Sequence, residues 1–221
     1  AVAEGGMLYG VDARSLYEQT SLYLLPAVNP DGIDLVTGAL KKGPYYEQAV
    51  SIADNYPEIP FPGGWKANIN GVDLNLQFPA DWELARQIKY AQGYRSPAPR
   101  DYVGSASLSQ PESRAVYEFT KAHNFSLILA YHTQGEVIYW KYKDLEPEHS
   151  RVIAEYFGRV SGYTVEETPY ASGNAGYKDW FILEFDRPGY TIEAGYGESP
   201  LPVSGFLELY RRNTGILTGG M

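Results

Sequence analysis

Two side chains capable of proton transfer or metal binding lie in apolar, strand-like stretches of the sequence. His132 ends the stretch LILAYH, and Glu193 lies within GYTIEAG. A carboxylate inside an apolar strand is costly to desolvate, so such residues are usually paired, bound to a cation or used as an acid or base. A lone histidine is more often structural. We therefore interpret Glu193 as a candidate acid–base group, and His132 as either a structural histidine or one arm of a metal or proton-transfer site.

Polar groups in three further segments could contribute to a site, but each also has a structural explanation. Asn29-Pro30-Asp31-Gly32 combines four residue types that are favoured in turns. Asp73 and Asn75, in GVDLNLQFP, can cap a strand end or hold a loop. Tyr170 opens the segment YASGNAGYKDWF, which is typical of a mobile lid or of an ordinary surface loop.

The elements that would position these groups alternate between helix and strand. Residues 21–28 (SLYLLPAV) predict a buried strand ended by a turn at 29–32, and residues 126–132 and 189–195 predict two more strands. Ser109 is the candidate N-cap of a central helix. The spacing of apolar residues predicts helices over 14–20, 45–54, 81–92, 110–125, 146–160 and 204–212. Such alternation predicts an α/β layered domain with a largely buried sheet.

The composition limits the classes of protein to which the chain can belong. Its 221 residues, 44% of them hydrophobic, suffice for one globular domain with a sizeable core. The net charge of -9 disfavours a nucleic-acid partner, because phosphate contacts need clustered lysine and arginine. Without cysteine, any metal must be held by His, Asp or Glu. No apolar run of about 18 residues is present to predict a transmembrane helix.

Five segments occur in the order typical of one enzyme family. They are PAVNPDG at 26–32, GVDLN at 71–75, the strand-end His132, the Tyr170 loop with DW at 179–180, and YTIEAG at 190–195. Together they resemble the zinc carboxypeptidases, peptidase family M14. The longer segments GVDLNLQFPADW, HTQGEVIYW and RPGYTIEAGYGESPLP resemble its bacterial branch, which cleaves γ-D-glutamyl–diaminopimelate bonds in peptidoglycan stem peptides.

The resemblance implies a fold and a role for each matching residue. The expected fold has three layers, with a mixed, mostly parallel β-sheet between helices. His132 would be a zinc ligand, and Glu193 the general base that takes a proton from zinc-bound water and passes it to the leaving amine. Burial should raise the Glu193 pKa for that role. Tyr170 would close over the substrate, and Asn75 would hydrogen-bond a substrate carboxylate or carbonyl.

Two departures from the family pattern bear on specificity. Exopeptidases of the family follow this asparagine with an arginine that clamps the substrate's terminal carboxylate, but Leu76 stands here. An apolar side chain cannot form that bidentate pair. The family also places an arginine shortly upstream of GVDLN to stabilise the oxyanion, and residues 65–70 contain only Lys66 as a cation. Lys66 is therefore a weak substitute for it.

The remaining family zinc ligands come from an HxxE motif, which this sequence lacks. The residues three positions after His123, His132 and His149 are Ser, Gly and Val. Two explanations remain: either the protein has lost its metal, or residues 1–221 are the C-terminal portion of a single catalytic domain whose first strands and HxxE lie upstream. We favour the second, because Glu193, Tyr170 and His132 are all present. The chain alone is then expected to bind zinc weakly or not at all, to be inactive and to self-associate through an exposed sheet edge.

The functional prediction is a zinc metallopeptidase that acts on peptidoglycan stem peptides, with one zinc ion per full-length enzyme. Two alternatives are a general metallocarboxypeptidase and a non-catalytic protein that binds cell-wall peptides. The substrate predicts a bacterial protein that is secreted or associated with the cell wall, and the cytoplasm of a sporulating cell is the other location considered.

Overall fold

A computed structural model describes residues 5–221 as a succession of short helices and strands. A strand hairpin and one helix open this part. Four helices and long loops follow, and the main sheet forms in the second half of the chain. The strands are β1 (Met7–Leu8), β2 (Val11–Asp12), β3 (Ile128–His132), β4 (Val137–Tyr139), β5 (Thr164–Glu166) and β6 (Gly189–Glu193). The helices are α1 (Ala13–Gln19), α2 (Pro30–Thr37), α3 (Pro44–Ala53), α4 (Trp82–Ala91), α5 (Pro111–Ala122), α6 (Ser150–Ser161), α7 (Tyr177–Phe185) and α8 (Phe206–Gly219).

The main sheet has four strands in the order β3-β6-β4-β5. β3 runs parallel to β6 and β4 parallel to β5, whereas β4 and β6 are antiparallel. The sheet is therefore mixed and mostly parallel, which confirms the predicted fold class. β6 is one of its two inner strands, and the carboxyl end of this strand carries Glu193.

Helices cover both faces of the sheet. Tyr190 and Ile192 of β6 are fully buried in a cluster with Phe157 of α6 and Ile216 of α8. Successive residues of a strand face opposite ways, and Gly189 accordingly lies against α7, where an added Cβ would come within 3.3–3.4 Å of side chains of that helix. Glu193 has the same parity as Gly189, so it lies on the α7 side. The result is three layers, as predicted.

Two buried amides hold the irregular segments between α3 and α4 and between α4 and α5. The Gln77 side chain donates to the backbone carbonyl of Val103 and accepts hydrogen bonds from Ser109 and the backbone of Gln110. Asn68 accepts from the backbone N–H of Val72 at 3.1 Å. Both amides are completely buried, and buried polar groups with satisfied partners fix a loop as firmly as an apolar core would. This network positions the segment GVDLN.

The first predicted strand is wrong. Residues 21–28 form no strand, and four of their apolar side chains are 46–68% exposed: Leu22, Tyr23, Leu24 and Leu25. Asn29 does not begin a turn; it is the N-cap of α2, where its Oδ1 accepts a hydrogen bond from the backbone N–H of Gly32 at 3.1 Å, and Pro30 occupies the first helical position.

Three smaller differences from the predicted elements also emerge. The segment GVDLNLQFP contains a single 3-10 turn over Leu74–Leu76, which was not predicted. Gln110 rather than Ser109 is the N-cap residue of α5, because Ser109 is engaged by Gln77 and Pro111 supplies the first helical position. The strands β4 and β5 were not predicted. No helix within residues 5–221 is long and apolar enough to span a bilayer.

Candidate active site

His132 and Glu193 are direct neighbours at the carboxyl ends of two parallel strands. They are paired residues in the β3–β6 ladder, so both side chains lie on the α7 side of the sheet. The backbone N–H of Ala194 donates to the carbonyl of His132 at 2.8 Å, which extends the ladder one residue beyond the two side chains. The carboxyl ends of adjacent parallel strands are where open α/β sheets collect functional groups.

The pKa values of both residues are shifted in the direction that favours the neutral side chain. Burial raises the pKa of Glu193, and the nearby charges of His132 and Lys66 only partly oppose that shift. Burial lowers the pKa of His132 in spite of the negative charge of Glu193. A neutral imidazole can donate its lone pair to a metal, and a carboxyl group with a raised pKa can exchange a proton near neutral pH.

Lys66 places a positive charge next to the pair. Its side chain is exposed, while its backbone N–H is fixed to the carbonyl of Pro99 at 2.8 Å. Its charge lowers the pKa of Glu193, His132 and Asp73 alike. The charge of Lys66 is therefore felt by both strand-end residues.

Asn75 faces the start of α7 through its side-chain oxygen. Its Oδ1 accepts a hydrogen bond from the backbone N–H of Tyr177 at 3.3 Å, which leaves the Nδ2 amide to donate to a bound carboxylate or carbonyl. Asp73 fixes this segment: its carboxylate accepts hydrogen bonds from the backbone N–H groups of Asn75 at 3.2 Å and of Asp101 at 3.1 Å. Burial and the charge of Asp101 raise the Asp73 pKa.

Tyr170 differs from His132 and Glu193 in being largely exposed to solvent. Its side chain is 73% exposed, on the loop between β5 and α7. The loop is closed on itself by a hydrogen bond from Asn174 Nδ2 to the Tyr170 carbonyl at 3.2 Å. A role in covering the substrate would therefore require this loop to move.

A buried ion pair at the start of α7 was missed in the sequence. Lys178 and Asp179 are each at least 97% buried, and Nζ and Oδ1 lie 2.6 Å apart. Lys178 also donates to the carbonyl of Lys141 at 2.6 Å and to Thr168 Oγ1 at 3.1 Å. The negative charge of Asp179 acts on the His132 pKa. The sequence signal for this pair was a lysine next to an aspartate within a run of aromatic residues.

The described residues do not by themselves form a zinc site. Catalytic zinc requires three protein ligands, and within residues 5–221 no group of three or more His, Cys, Asp or Glu side chains converges to hold a metal. His132 can supply one nitrogen. This part of the chain can therefore contribute a zinc ligand, but it cannot hold the zinc ion alone.

Comparisons with known proteins agree with this geometry. The zinc carboxypeptidase family model, peptidase M14, matches residues 10–213. The chain is 48% identical over 215 residues to Gamma-D-glutamyl-L-diamino acid endopeptidase 1 of Lysinibacillus sphaericus, an alignment covering 96% of this chain and 52% of that protein. The chain spans about half the length of the curated relatives that it matches over most of its own length.

Solved structures share the fold at low sequence identity. Carboxypeptidase A from Helicoverpa armigera matches with a TM-score of 0.59 and 21% identity, over 88% of this chain and 49% of the other. Murein-tripeptide amidase MpaA from Escherichia coli O157 matches with a TM-score of 0.52 and 18% identity, over 87% and 65%. These comparisons and the paired strand ends together show that the chain belongs to the zinc carboxypeptidase family.

Proposed function

We propose that the protein containing this chain hydrolyses γ-D-glutamyl–diaminopimelate bonds in peptidoglycan stem peptides. The observation that carries the proposal is the 48% identity, across 96% of the chain, to a protein named as a γ-D-glutamyl-L-diamino acid endopeptidase. The pairing of His132 with Glu193 at adjacent strand ends supplies the acid–base group that such a hydrolysis needs.

Glu193 moves the protons in the proposed reaction. Its carboxylate accepts a proton from the water whose oxygen adds to the scissile carbonyl carbon. When the tetrahedral intermediate collapses and the C–N bond breaks, Glu193 returns that proton to the leaving nitrogen. Its burial favours this exchange because it raises the pKa of the carboxyl group toward the working pH.

Lys66 and Asn75 are proposed to bind the substrate around the reacting carbonyl. The charge of Lys66 acts on Glu193 and His132, so it can also stabilise the negative charge that develops on the carbonyl oxygen. Asn75 presents an amide N–H to a carboxylate or carbonyl. The next residue is Leu76, whose apolar side chain cannot bind a carboxylate. An exopeptidase needs a group that binds the terminal carboxylate of its substrate, so Leu76 argues against exopeptidase activity.

The family is zinc-dependent, and His132 is the proposed ligand from this chain. Because residues 5–221 contain no converging group of three ligands, we propose that one zinc ion is held in the full-length enzyme with additional donors. Tyr170 is proposed to cover the substrate. A peptidoglycan substrate places the enzyme in a bacterium, outside the membrane or in a sporulating cell.

Peptide cleavage by the full-length protein tests this proposal. A γ-D-glutamyl–diaminopimelate tripeptide is compared with an α-linked tripeptide of the same composition, with and without a zinc chelator. We expect cleavage of the γ-linked peptide only, and its loss with the chelator. Release of C-terminal residues from the α-linked peptide would identify a general carboxypeptidase instead. Saturable binding of the γ-linked peptide without cleavage would identify a non-catalytic binding protein.

A further inference from the structure

Backbone hydrogen bonds join the loops that follow His132 and Glu193 at Gly195. Its carbonyl accepts hydrogen bonds from the backbone N–H groups of Gly135 at 2.7 Å and Glu136 at 3.1 Å. Gly195 has a φ of 78°, and an added Cβ would lie 2.7 Å from Leu201 and 2.8 Å from Leu209. Only glycine fits this position. The two loops therefore meet where Gly135, three residues after His132, contacts Gly195, two residues after Glu193. We call this contact the crossing of the two loops.

The buried side chain of Tyr163 binds the backbone N–H of Gly195. The N–H of Gly195 donates to the hydroxyl oxygen of Tyr163 at 3.2 Å, and Asn213 Nδ2 of α8 donates to the same oxygen at 2.9 Å. Tyr163 is 4% exposed and follows directly after α6. Both backbone groups of Gly195 are thus fixed by residues from outside its own loop.

Arg212 connects this phenol to the loop after His132. Its guanidinium forms a two-pronged ion pair with the carboxylate of Glu136, in which Nη2 and Oε2 lie 3.1 Å apart. Its Nε donates to the carbonyl of Ser161 at 2.7 Å, and the guanidinium carbon lies 4.6 Å from the centre of the Tyr163 ring. A planar guanidinium group that forms hydrogen bonds through several of its N–H groups and stacks on an aromatic ring is held in one orientation.

Glu136 needs this support because its backbone is strained. Its φ of 55° lies in the left-handed region, which a residue with a long side chain rarely adopts. The backbone N–H of Thr164 donates to its carbonyl at 2.9 Å, so β5 also holds it. Such conformations persist where surrounding contacts determine them, and they cluster at functional sites.

We propose that Arg212, Glu136 and Tyr163 are positioning residues that set the relative placement of His132 and Glu193. None of the three carries out the chemistry. They fix the crossing of the two loops at Gly195 and thereby the geometry of the strand ends in front of it. The inference rests on the proposed hydrolysis for its catalytic consequence, whereas its structural content can be measured separately.

The test compares Arg212→Met with Arg211→Met in the full-length protein. The two changes remove the same charge from adjacent positions of α8, and Arg211 is exposed with no side-chain ion pair in the described residues. For R212M we expect kcat on the γ-linked tripeptide to fall about 10- to 100-fold with KM within threefold, because small misplacements of reacting groups cost rates of this size. For R211M we expect both within twofold.

Hydrogen exchange measured by mass spectrometry gives a readout independent of activity. In R212M, peptides covering residues 133–137 and 194–199 should lose protection, while those from α2 and α4 stay as in the wild type. Tyr163→Phe, which removes the hydroxyl that accepts from the Gly195 N–H and from Asn213 Nδ2, should expose the same peptides. Arg212→Lys should restore part of kcat because it keeps the charge.

The outcomes separate the two proposals. Unchanged kcat and unchanged exchange in both R212M and Y163F would overturn the positioning role. Loss of protection throughout the chain would also overturn it, because the residues would then serve general stability. If the wild-type protein cleaves no γ-linked peptide, the proposed function fails, and the exchange comparison alone decides whether the network holds the loops.

Discussion

At the scale of single residues, the environment of each ionisable group determines what it can do. Glu193 and Asp101 are both partly withdrawn from water, yet their pKa values shift in opposite directions. Burial dominates for Glu193. For Asp101, burial is also the largest influence, but the hydrogen bonds and charges of Lys89 and Arg100 together outweigh it. The first group is suited to proton exchange and the second to structural pairing.

Replacing Glu193 by glutamine should remove catalysis and leave the fold intact. Gln has nearly the same shape and cannot take up a proton, so we expect kcat of the full-length enzyme to fall about 100- to 10,000-fold. The matched control is Glu198→Gln, an exposed position beyond the end of the same strand. Steady-state kinetics with the γ-linked tripeptide check this. Activity of E193Q above a tenth of the wild-type value would contradict the assignment of Glu193 as the base.

Replacing Asp101 by asparagine should make stability less dependent on pH. Because folding lowers the Asp101 pKa, its ion pairs stabilise the fold above the unfolded pKa of about 3.9, and this contribution is lost as the pH falls through the folded pKa. Breaking a largely buried pair by removing one partner costs about 3–5 kcal/mol. Asparagine also tolerates the left-handed backbone of this residue, whose φ is 67°.

Urea unfolding between pH 2.5 and pH 7 checks the Asp101 prediction. The D101N variant should be less stable than the wild type at pH 7, and the difference should shrink below about pH 4. Asp144→Asn serves as the control, because Asp144 is exposed. A constant difference between D101N and the wild type at all pH values would show that the lost contacts are not ionic.

At the scale of elements, the sequence predicted the two strands that carry His132 and Glu193 better than the rest of the sheet. His132 and Glu193 were identified because an ionisable group in an apolar strand is a local signal, but their pairing depends on strands 61 residues apart in sequence. β4 and β5 contain three residues each, too few for a periodic pattern. Residues 21–28 have the composition of a buried strand, and composition alone does not supply a partner strand.

The start of α2 shows the same ambiguity between turn and helix. Asn29 and Pro30 favour turns, and they also favour the N-cap and first position of a helix. Which one forms depends on a distant contact: Asn29 Nδ2 donates to the carbonyl of Ala67 at 2.8 Å. A single sequence does not reveal that contact.

Substitutions at Asn29 should separate capping from this distant contact. Asn29→Asp keeps the oxygen that accepts from Gly32 and loses only the donor to Ala67, whereas Asn29→Ala loses both. Loss of an N-cap costs about 1 kcal/mol, so we expect the order of stability to be wild type, then N29D, then N29A. Denaturation midpoints measure it. Equal stability of N29A and wild type would show that α2 does not need its cap.

At the scale of the whole molecule, exposed apolar surface and net charge act against each other. The leucines of the apolar segment 21–28 are 46–68% exposed, and Tyr131 on the edge strand β3 is 42% exposed. Exposed strand edges and apolar patches promote association. The net charge of -9 opposes it through repulsion.

We propose that the chain as printed self-associates through segment 21–28, and that salt strengthens the association by screening the charge. Leu24→Glu, at a position that is 68% exposed, should then shift sedimentation toward the monomer. Val203→Glu adds the same charge at a residue that is 89% exposed elsewhere. An equal shift in both variants would assign the effect to net charge and not to the segment.

The sheet gives the two strand-end residues unequal freedom. Glu193 is paired with His132 on one side and with Val137 on the other, whereas β3 has a single hydrogen-bonded neighbour within residues 5–221. Displacing the base means rearranging two ladders, and displacing the histidine means rearranging one. The fold therefore holds the backbone of the base more firmly than that of the histidine. An engineer who exchanged the donor at position 132 would leave β6 anchored to β4, but would have to retune the proton-transfer group, because the charge of His132 acts on the Glu193 pKa.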